Sequence, residues 1–473
     1  MTSAFRAVAL AGLASLAACQ AVGPNYHVPA SAAVQRPDLQ GALGTGNPNV
    51  VSAPVPANWW RLYQDPQLDQ LVREALGSNT DLRVAAANIA RARYQTEQAE
   101  AEGGFNASAS AEAQRLQESG QAFLLTEKVP VSNIGAASIK TSYQFDLWGT
   151  LKRGVEAANA NADAAQAAAD TARITVVADV VRAYTQVCAA NEERHIALES
   201  LDLQQQGVKL AQRLRDAGRG DETQVTRTTT QFKSLRAELP RYQAERAAGL
   251  YRLSMLLAKP VNQLPAGVGD CAELPRIGQV LPVGDGASLL KRRPDVRRAE
   301  RQLAAATARI GVATGQLYPD ISIGATVGTV GLLEDLGGPA TNRWGFGPMI
   351  SWTLPTNGAR ARIREAEAAS QGALASFDGV VLNAVREAQT GLTTYAATLE
   401  RRDALAEAER SAHEAADQSH RFYLAGRQSF LEDLQATRTY TNARAQLAEA
   451  NTRVAMQQID LFLALGGGWE GTH

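Results

Sequence analysis

Few side chains here are of a kind that makes or breaks bonds. Five histidines (His27, His195, His413, His420, His473) and three cysteines (Cys19, Cys188, Cys271) are scattered along 473 residues. No histidine stands at a metal-ligand spacing from a cysteine. His413 and His420, seven apart on one helical stretch, read as a surface stripe. Four methionines are too few to line a path for soft metal ions. Gly466-Gly467-Gly468 closes a helix and opens none, so it is no phosphate cradle. No catalytic set and no metal site emerges. With 47 Lys+Arg against 48 Asp+Glu, the chain also lacks the basic excess that a nucleic-acid binder needs.

The polar residues with a definite local task sit at turns. Gly218 and Gly426 stand where a helix would end on a left-handed residue. Three residues on, Asp221-x-x-Gln224 and Ser429-x-x-Glu432 read as capping boxes that start the next helix. Both pairs lie 208 residues apart, and so do Ala217-Gly218-Arg219 and Ala425-Gly426-Arg427. Laying residues 217–257 on 425–465 gives 10 identities in 41 positions, where chance gives roughly three or four. Asp81-Leu82-Arg83 and Asp295-Val296-Arg297 repeat upstream with a slightly larger offset. The chain is duplicated.

Each half reads helix, two strands, very long helix, sharp turn, long helix. Hydrophobic residues are 45% and aromatics only 6%. An alanine-rich composition of this kind suits long, closely packed helices. Helices are expected over 65–102, 149–217 and 221–258, then 289–316, 358–424 and 430–465. At 1.5 Å per residue the second of these is roughly 100 Å long. Val225, Phe232, Leu235, Leu239 and Tyr242 keep a coiled-coil rhythm, which Pro240 interrupts and should bend or loosen.

Four stretches alternate with period two. Ile139, Thr141, Tyr143, Phe145 and Leu147 form one; Ile321, Ile323, Ala325 and Val327 another; Trp344, Phe346, Pro348, Ile350, Trp352 and Leu354 a third; Phe105, Ala107 and Ala109 a weaker fourth. One face is apolar and the other small or polar, as for lipid outside and water inside, although a half-buried soluble sheet alternates likewise. Trp148, Trp344 and Trp352 lie where an interfacial aromatic belt would stand. Four strands cannot close a barrel, whose observed minimum is about eight, so a membrane reading demands an oligomer. Beyond position 19 no run of about 18 apolar residues offers a membrane-spanning helix.

Residues 1–18 hold one basic residue, an apolar run and Leu16-Ala17-Ala18 before Cys19, the pattern of a secretory signal. The four-residue ending resembles the lipobox of bacterial lipoproteins. That resemblance implies cleavage before Cys19, a diacylglycerol on its sulfur, and an acyl group such as palmitate on the new amine. Several acyl chains anchor durably, at about 0.8 kcal/mol per buried methylene. Gln20, in place of Asp, implies sorting to the outer membrane.

Several further motifs follow in order: Val22-Gly23-Pro24-Asn25-Tyr26, Trp59-Trp60 before Asp65-Pro66-Gln67-Leu68, Phe145-Asp146-Leu147-Trp148-Gly149, Arg292-Arg293-Pro294-Asp295-Val296-Arg297, and Pro355-Thr356-Asn357-Gly358. Together they resemble the TolC/OprM-type outer-membrane efflux factors, in their lipoprotein branch related to NodT, over essentially the whole mature chain. The resemblance implies a mainly α fold with membrane β. A homotrimer would form a twelve-stranded β-barrel continuous with a twelve-rod helical barrel in the periplasm. It implies a passive, non-enzymatic exit duct for small molecules, working with a periplasmic adaptor and an inner-membrane pump of RND type. A protein-secretion duct of the same architecture, or a structural coiled-coil lipoprotein, are the other readings open at this point.

On this reading residues 1–18 are the signal, 19–64 a lipidated extended segment, and 65–258 repeat 1 with strands near 103–113 and 137–148 and a tip at 217–221. A linker follows over 259–287, then repeat 2 over 288–466, with strands near 319–331 and 343–355 and a tip at 425–429, then a tail over 467–473. Glu432, with Asp433 beside it, matches the family's acidic ring at the closed periplasmic mouth; Gln435 stands where a second acid is usual. Equal carboxylates around a three-fold axis would favour cations, while Glu432 also serves the capping box. Arg215, Arg219 and Arg427, with Gly218 and Gly426, are candidates for adaptor contact at the tips. Cys188 and Cys271 could pair as a disulfide in the oxidising periplasm, because the family packs the linker around mid-height of the rods.

Overall fold

The computed structural model describes residues 21–43, 48–124 and 126–467. The signal, Cys19, His473 and the end of the tail lie outside them. In chain order the elements are β1 (Val50–Val51), α1 (Pro66–Ser78), α2 (Thr80–Glu102), β2 (Phe105–Leu116), β3 (Ser132–Phe145), α3 (Thr150–Asp216) and α4 (Glu222–Leu256). They continue with β4 (Leu281–Pro282), α5 (Gly286–Arg292), α6 (Pro294–Gly315), β5 (Asp320–Leu332), β6 (Asn342–Ser351), α7 (Asn357–Leu424) and α8 (Phe430–Ala464). The duplication is written in the lengths: α3 and α7 have 67 and 68 residues, and α4 and α8 have 35 each. Among the described residues no helix is long and apolar enough to cross a membrane.

Two helices expected to be continuous are broken, each for a local reason. The 65–102 stretch splits at Asn79, whose ψ of 135° leaves the helical region. Its side-chain oxygen accepts from the N–H groups of Asp81 and Leu82 and so caps α2. The 289–316 stretch splits before Pro294, which lacks an N–H and forces Arg293 into an extended conformation. Pro240, by contrast, does not end α4.

The chain divides into two compact units. The first holds residues 21–30, 88–166 and 298–377 and contains the four-stranded sheet, ordered β2-β3-β5-β6 and antiparallel throughout. Register aligns the alternating residues across all four strands. One row runs Phe105, Tyr143, Ile323, Pro348 and another Ala109, Ile139, Val327, Trp344. The rows between them run Asn106, Ser142, Gly324, Gly347 and Ser108, Lys140, Thr326, Gly345.

Pairing outlasts the alternation at the loop end of the first hairpin, where β2 reaches Leu116 and β3 begins at Ser132, because backbone rungs need no apolar side chain. At the helical end β3 stops earlier than expected. Asp146 turns to accept from the N–H groups of Leu151 and Lys152 and so starts α3. β6 stops at Ser351, and Trp352 donates from its indole to the Leu317 carbonyl.

The N-terminal Val22–Tyr26 motif is held in this unit by Arg153 of α3. Its buried guanidinium donates to the carbonyls of Val22 and Gly23 and to the Asn25 side chain, at 3.0, 3.2 and 2.7 Å. Gly23, at φ +83°, lies so close to Gly311 that an added Cβ would stand 2.5 Å from the Gly311 Cα. Neither position admits a side chain without displacement.

The second unit holds residues 31–87, 167–297 and 378–467, less 44–47. Its core packs Trp59, Leu68 and Leu71 against Val177, Val180 and Tyr184 of α3, Leu253 and Leu256 of α4, and Ile459 and Phe462 of α8. Trp59 stacks on Phe462 with ring centroids 4.8 Å apart. β1 and β4 pair in parallel, so the linker holds a strand and two 3₁₀ turns (Val261–Gln263, Val268–Asp270). The Arg292-Arg293 motif serves the end of α8. Arg292 donates to the Leu465 carbonyl and Arg293 to that of Ala464, cations placed at the negative pole of a helix. Arg293 also makes a two-pronged bond to Asp295 and an ion pair with Glu387 at 2.8 Å. Burial works to raise the Asp295 carboxyl, but the Arg293 bonds and charge outweigh it and hold that group below its ordinary range.

Candidate functional site

Both helical hairpins turn by the same backbone device. In the first, the Arg219 N–H bonds to the Leu214 carbonyl and the Gly218 N–H to that of Arg215; in the second, Arg427 bonds to Phe422 and Gly426 to Tyr423. Gly218 and Gly426 take φ values of +66° and +68°, which glycine reaches without steric cost. These bonds satisfy the last carbonyls of α3 and α7.

The caps differ. Ser429 and Glu432 form a full reciprocal box: the Glu432 N–H bonds to the Ser429 hydroxyl, and the Glu432 carboxylate accepts from the Ser429 N–H at 2.8 Å and its hydroxyl at 2.7 Å. These bonds, the hydroxyl's first and the backbone N–H next, hold the exposed Glu432 carboxyl below its ordinary range. Asp221 accepts from the Gln224 N–H, but among the described residues no bond returns from the Gln224 side chain to the Asp221 backbone, so the first tip has half of the expected box. Arg215 is engaged locally, with Asp216 at 2.8 Å and Glu222 at 3.0 Å. Arg427 lies over the Phe422 ring at 5.5 Å. Arg219 is exposed and, among the described residues, has no side-chain partner.

Asp433, expected beside Glu432 at the mouth, is instead only 6% exposed. One carboxylate oxygen stands 3.1 Å from Nδ1 of His420 on α7, and the other is buried without a partner. Ser419, next to His420, is also buried with an unpartnered hydroxyl. The sequence reading did not find this cluster. Its signal was available in the duplication, since Ser419 and Asp433 stand 208 residues after Ala211 and Val225, both buried and apolar.

Cys188 and Cys271 are joined as a disulfide, with Cα atoms 4.9 Å apart. Trp344 and Trp352 are exposed, at 84% and 53%, near opposite ends of β6. Trp148 does not join them: it is half-buried, stacked on Tyr318 at 4.6 Å, with its indole donating to the Pro319 carbonyl. Trp344 and Trp352 lie eight residues apart, roughly 27 Å along an extended strand, or about 20 Å across a membrane at the usual barrel tilt. No group of three or more potential metal ligands occurs among the described residues.

A duplicated long-helix hairpin that carries a sheet with one lipid-suited face and two unpaired edge strands is the build of an outer-membrane channel subunit. The chain belongs to the outer membrane efflux protein family, whose model matches residues 71–259 and 287–467, the two repeats on either side of the linker. It is 29% identical to Nodulation protein T of Rhizobium leguminosarum bv. trifolii over 455 residues, covering 95% of this chain and 94% of that one. It is 28% identical to Outer membrane protein OprJ of Pseudomonas aeruginosa over 473 residues, covering 99% and 96%. The solved outer-membrane channel OprN superposes with a TM-score of 0.86 at 32% identity, covering 95% of this chain and all of that one. The protein is thus an efflux channel of the outer membrane, reaching into the periplasm. It is a transport duct, not an enzyme, and its partners are an adaptor and an inner-membrane pump.

Proposed function

We propose that three copies join their sheets edge to edge into one twelve-stranded barrel, anchored by lipid on Cys19, through which small molecules leave passively. An RND-type pump drives the flow, and an adaptor meets the tips, where Arg219 is the side chain best placed to receive it. One observation carries this reading: the in-register separation of an apolar from a polar face across β2, β3, β5 and β6. A soluble sheet would cover the face bearing Trp344, Phe346 and Ile350, yet these are more than two-thirds exposed in the single chain. Lipid covers such a face, and neighbouring copies supply the missing edges.

The test is a planar bilayer combined with a mass measurement in detergent. Stepwise ion conductance from trimers supports the duct. Silence from intact trimers favours a structural coiled-coil lipoprotein, and a stable monomer removes the shared barrel.

A further inference from the structure

The polar face of the sheet carries a local charge that the duct reading leaves without a task. Lys140 lies at the middle of β3, between Ser108 on one side and Thr326 on the other, with Gly345 beyond. Arg343 on β6 lies on the same face, one row away, in the row of Ser110, Ser138 and Gly328. From strand geometry their Cα atoms are roughly 12 Å apart. Both side chains are exposed, and among the described residues neither has a hydrogen-bond or ion-pair partner.

The surface around Lys140 is hollow. Asn106, Ser108, Thr326, Gly324, Gly345 and Gly347 contribute to a basin of about 650 Å³ that also takes in Lys140. At Gly345 and Gly347 an added Cβ would meet nothing within 4 Å, so the space is open above them. Carboxylates on this face sit toward its two ends, at Glu112 and Asp320, and Asp320 is already bonded by Gln144. By register Glu112 lies roughly 14 Å from Lys140 and Asp320 farther still, beyond the ~8 Å over which physiological salt screens charge. Among the described residues Lys140 therefore stands unneutralised at mid-strand, with Arg343 near the start of β6.

We propose that Lys140, seconded by Arg343, makes the barrel lumen a weak anion-binding station, and that solutes bearing phosphate, sulfonate or carboxylate groups are the cargo it favours. The inference rests on the proposed closure of three sheets, which brings three such pairs around one lumen. Rings of basic side chains favour anions in a pore, and the small residues around Lys140 keep a bulky anion from being excluded.

Trimeric protein in a planar bilayer tests this, with inorganic tripolyphosphate added on the side faced by residues 117–131 and 333–341. Wild type and Lys140→Arg should be blocked alike. Lys140→Gln and Arg343→Gln should each weaken the block by about tenfold and shift the reversal potential in a KCl gradient toward cations. Equal block and equal reversal potential in all four, at wild-type conductance, overturn the anion station and leave the duct standing. A wild-type trimer that never conducts overturns the duct and this inference together.

Discussion

Replacing Asp433 by valine should tighten the second hairpin, because it restores what the first repeat has at the equivalent position. Asp433 has one buried oxygen without a partner, and relieving such a group is worth about 1–3 kcal/mol. Burying the valine methyls adds about 1.5 kcal/mol at the low end. Against this, the His420 pair is lost, but the His420 side chain is 61% exposed, so the pair contributes about 1 kcal/mol at most. Valine, branched at Cβ, is also less easily accommodated than the planar carboxylate, a crowding cost of about 1 kcal/mol. The net gain is about 1.5 kcal/mol. Amides of residues 419–437 that exchange through local opening should then exchange roughly tenfold more slowly. Adding Ser419→Ala should slow them further, and Val225→Asp should accelerate the first tip. Unchanged or faster exchange in Asp433→Val would refute the claim that this buried carboxylate loosens the hairpin.

Glu432→Gln keeps a side chain able to reach back to Ser429 but removes the charge; cation preference should fall with the tip unaltered, and unchanged selectivity would leave Glu432 as a cap alone. Because the Glu432 carboxyl is held below the ordinary glutamate range by its bonds to Ser429, the cap's contribution is complete above that range and is lost as pH falls through the lowered value; protection of the second tip's amides, relative to their intrinsic exchange rates, should be flat down to about pH 5. Converting Cys188 and Cys271 to alanine opens a link across 83 residues and should lower stability by about 2–4 kcal/mol; two free thiols in non-reducing peptide mapping would remove the bond and this prediction. Arg153→Ala strips a buried cation from three carbonyl and amide acceptors and should release residues 21–26 to protease, at a cost of about 3 kcal/mol; an unchanged cleavage pattern would mean that Gly23 against Gly311 suffices.

The sequence carries the elements that depend on neighbours in the chain. Helix α3 is legible because almost nothing between Thr150 and Asp216 interrupts it, and the tips are legible because glycine and capping residues act within six positions. The strands are legible from alternation, which reports the face but not the end, so β3 and β6 terminate where Asp146 and Trp352 find other partners. Features set by distant partners are not legible. Asn79 breaks a helix, and its amide is satisfied by the Leu256 carbonyl, 177 residues away. Arg153 finds its acceptors about 130 residues upstream. Trp148 fits the pattern of a belt and is drawn inward by Tyr318 and Pro319.

Duplication makes the two hairpins comparable position by position, and the comparison separates turning from holding. Turning is shared: both tips use the same pair of backbone bonds around a left-handed glycine. Holding is not. The first tip has half a cap, exposed ion pairs from Arg215 and an apolar Val225 below, which salt would weaken only at the surface. The second has the complete Ser429–Glu432 box, above a buried carboxylate that apolar packing would outperform. A rod built only for rigidity has no reason to put Asp433 where its duplicate keeps valine. The substitution places a buried, half-partnered carboxylate just inside a firmly capped turn, so the second tip is held by its cap where the first is held by its packing.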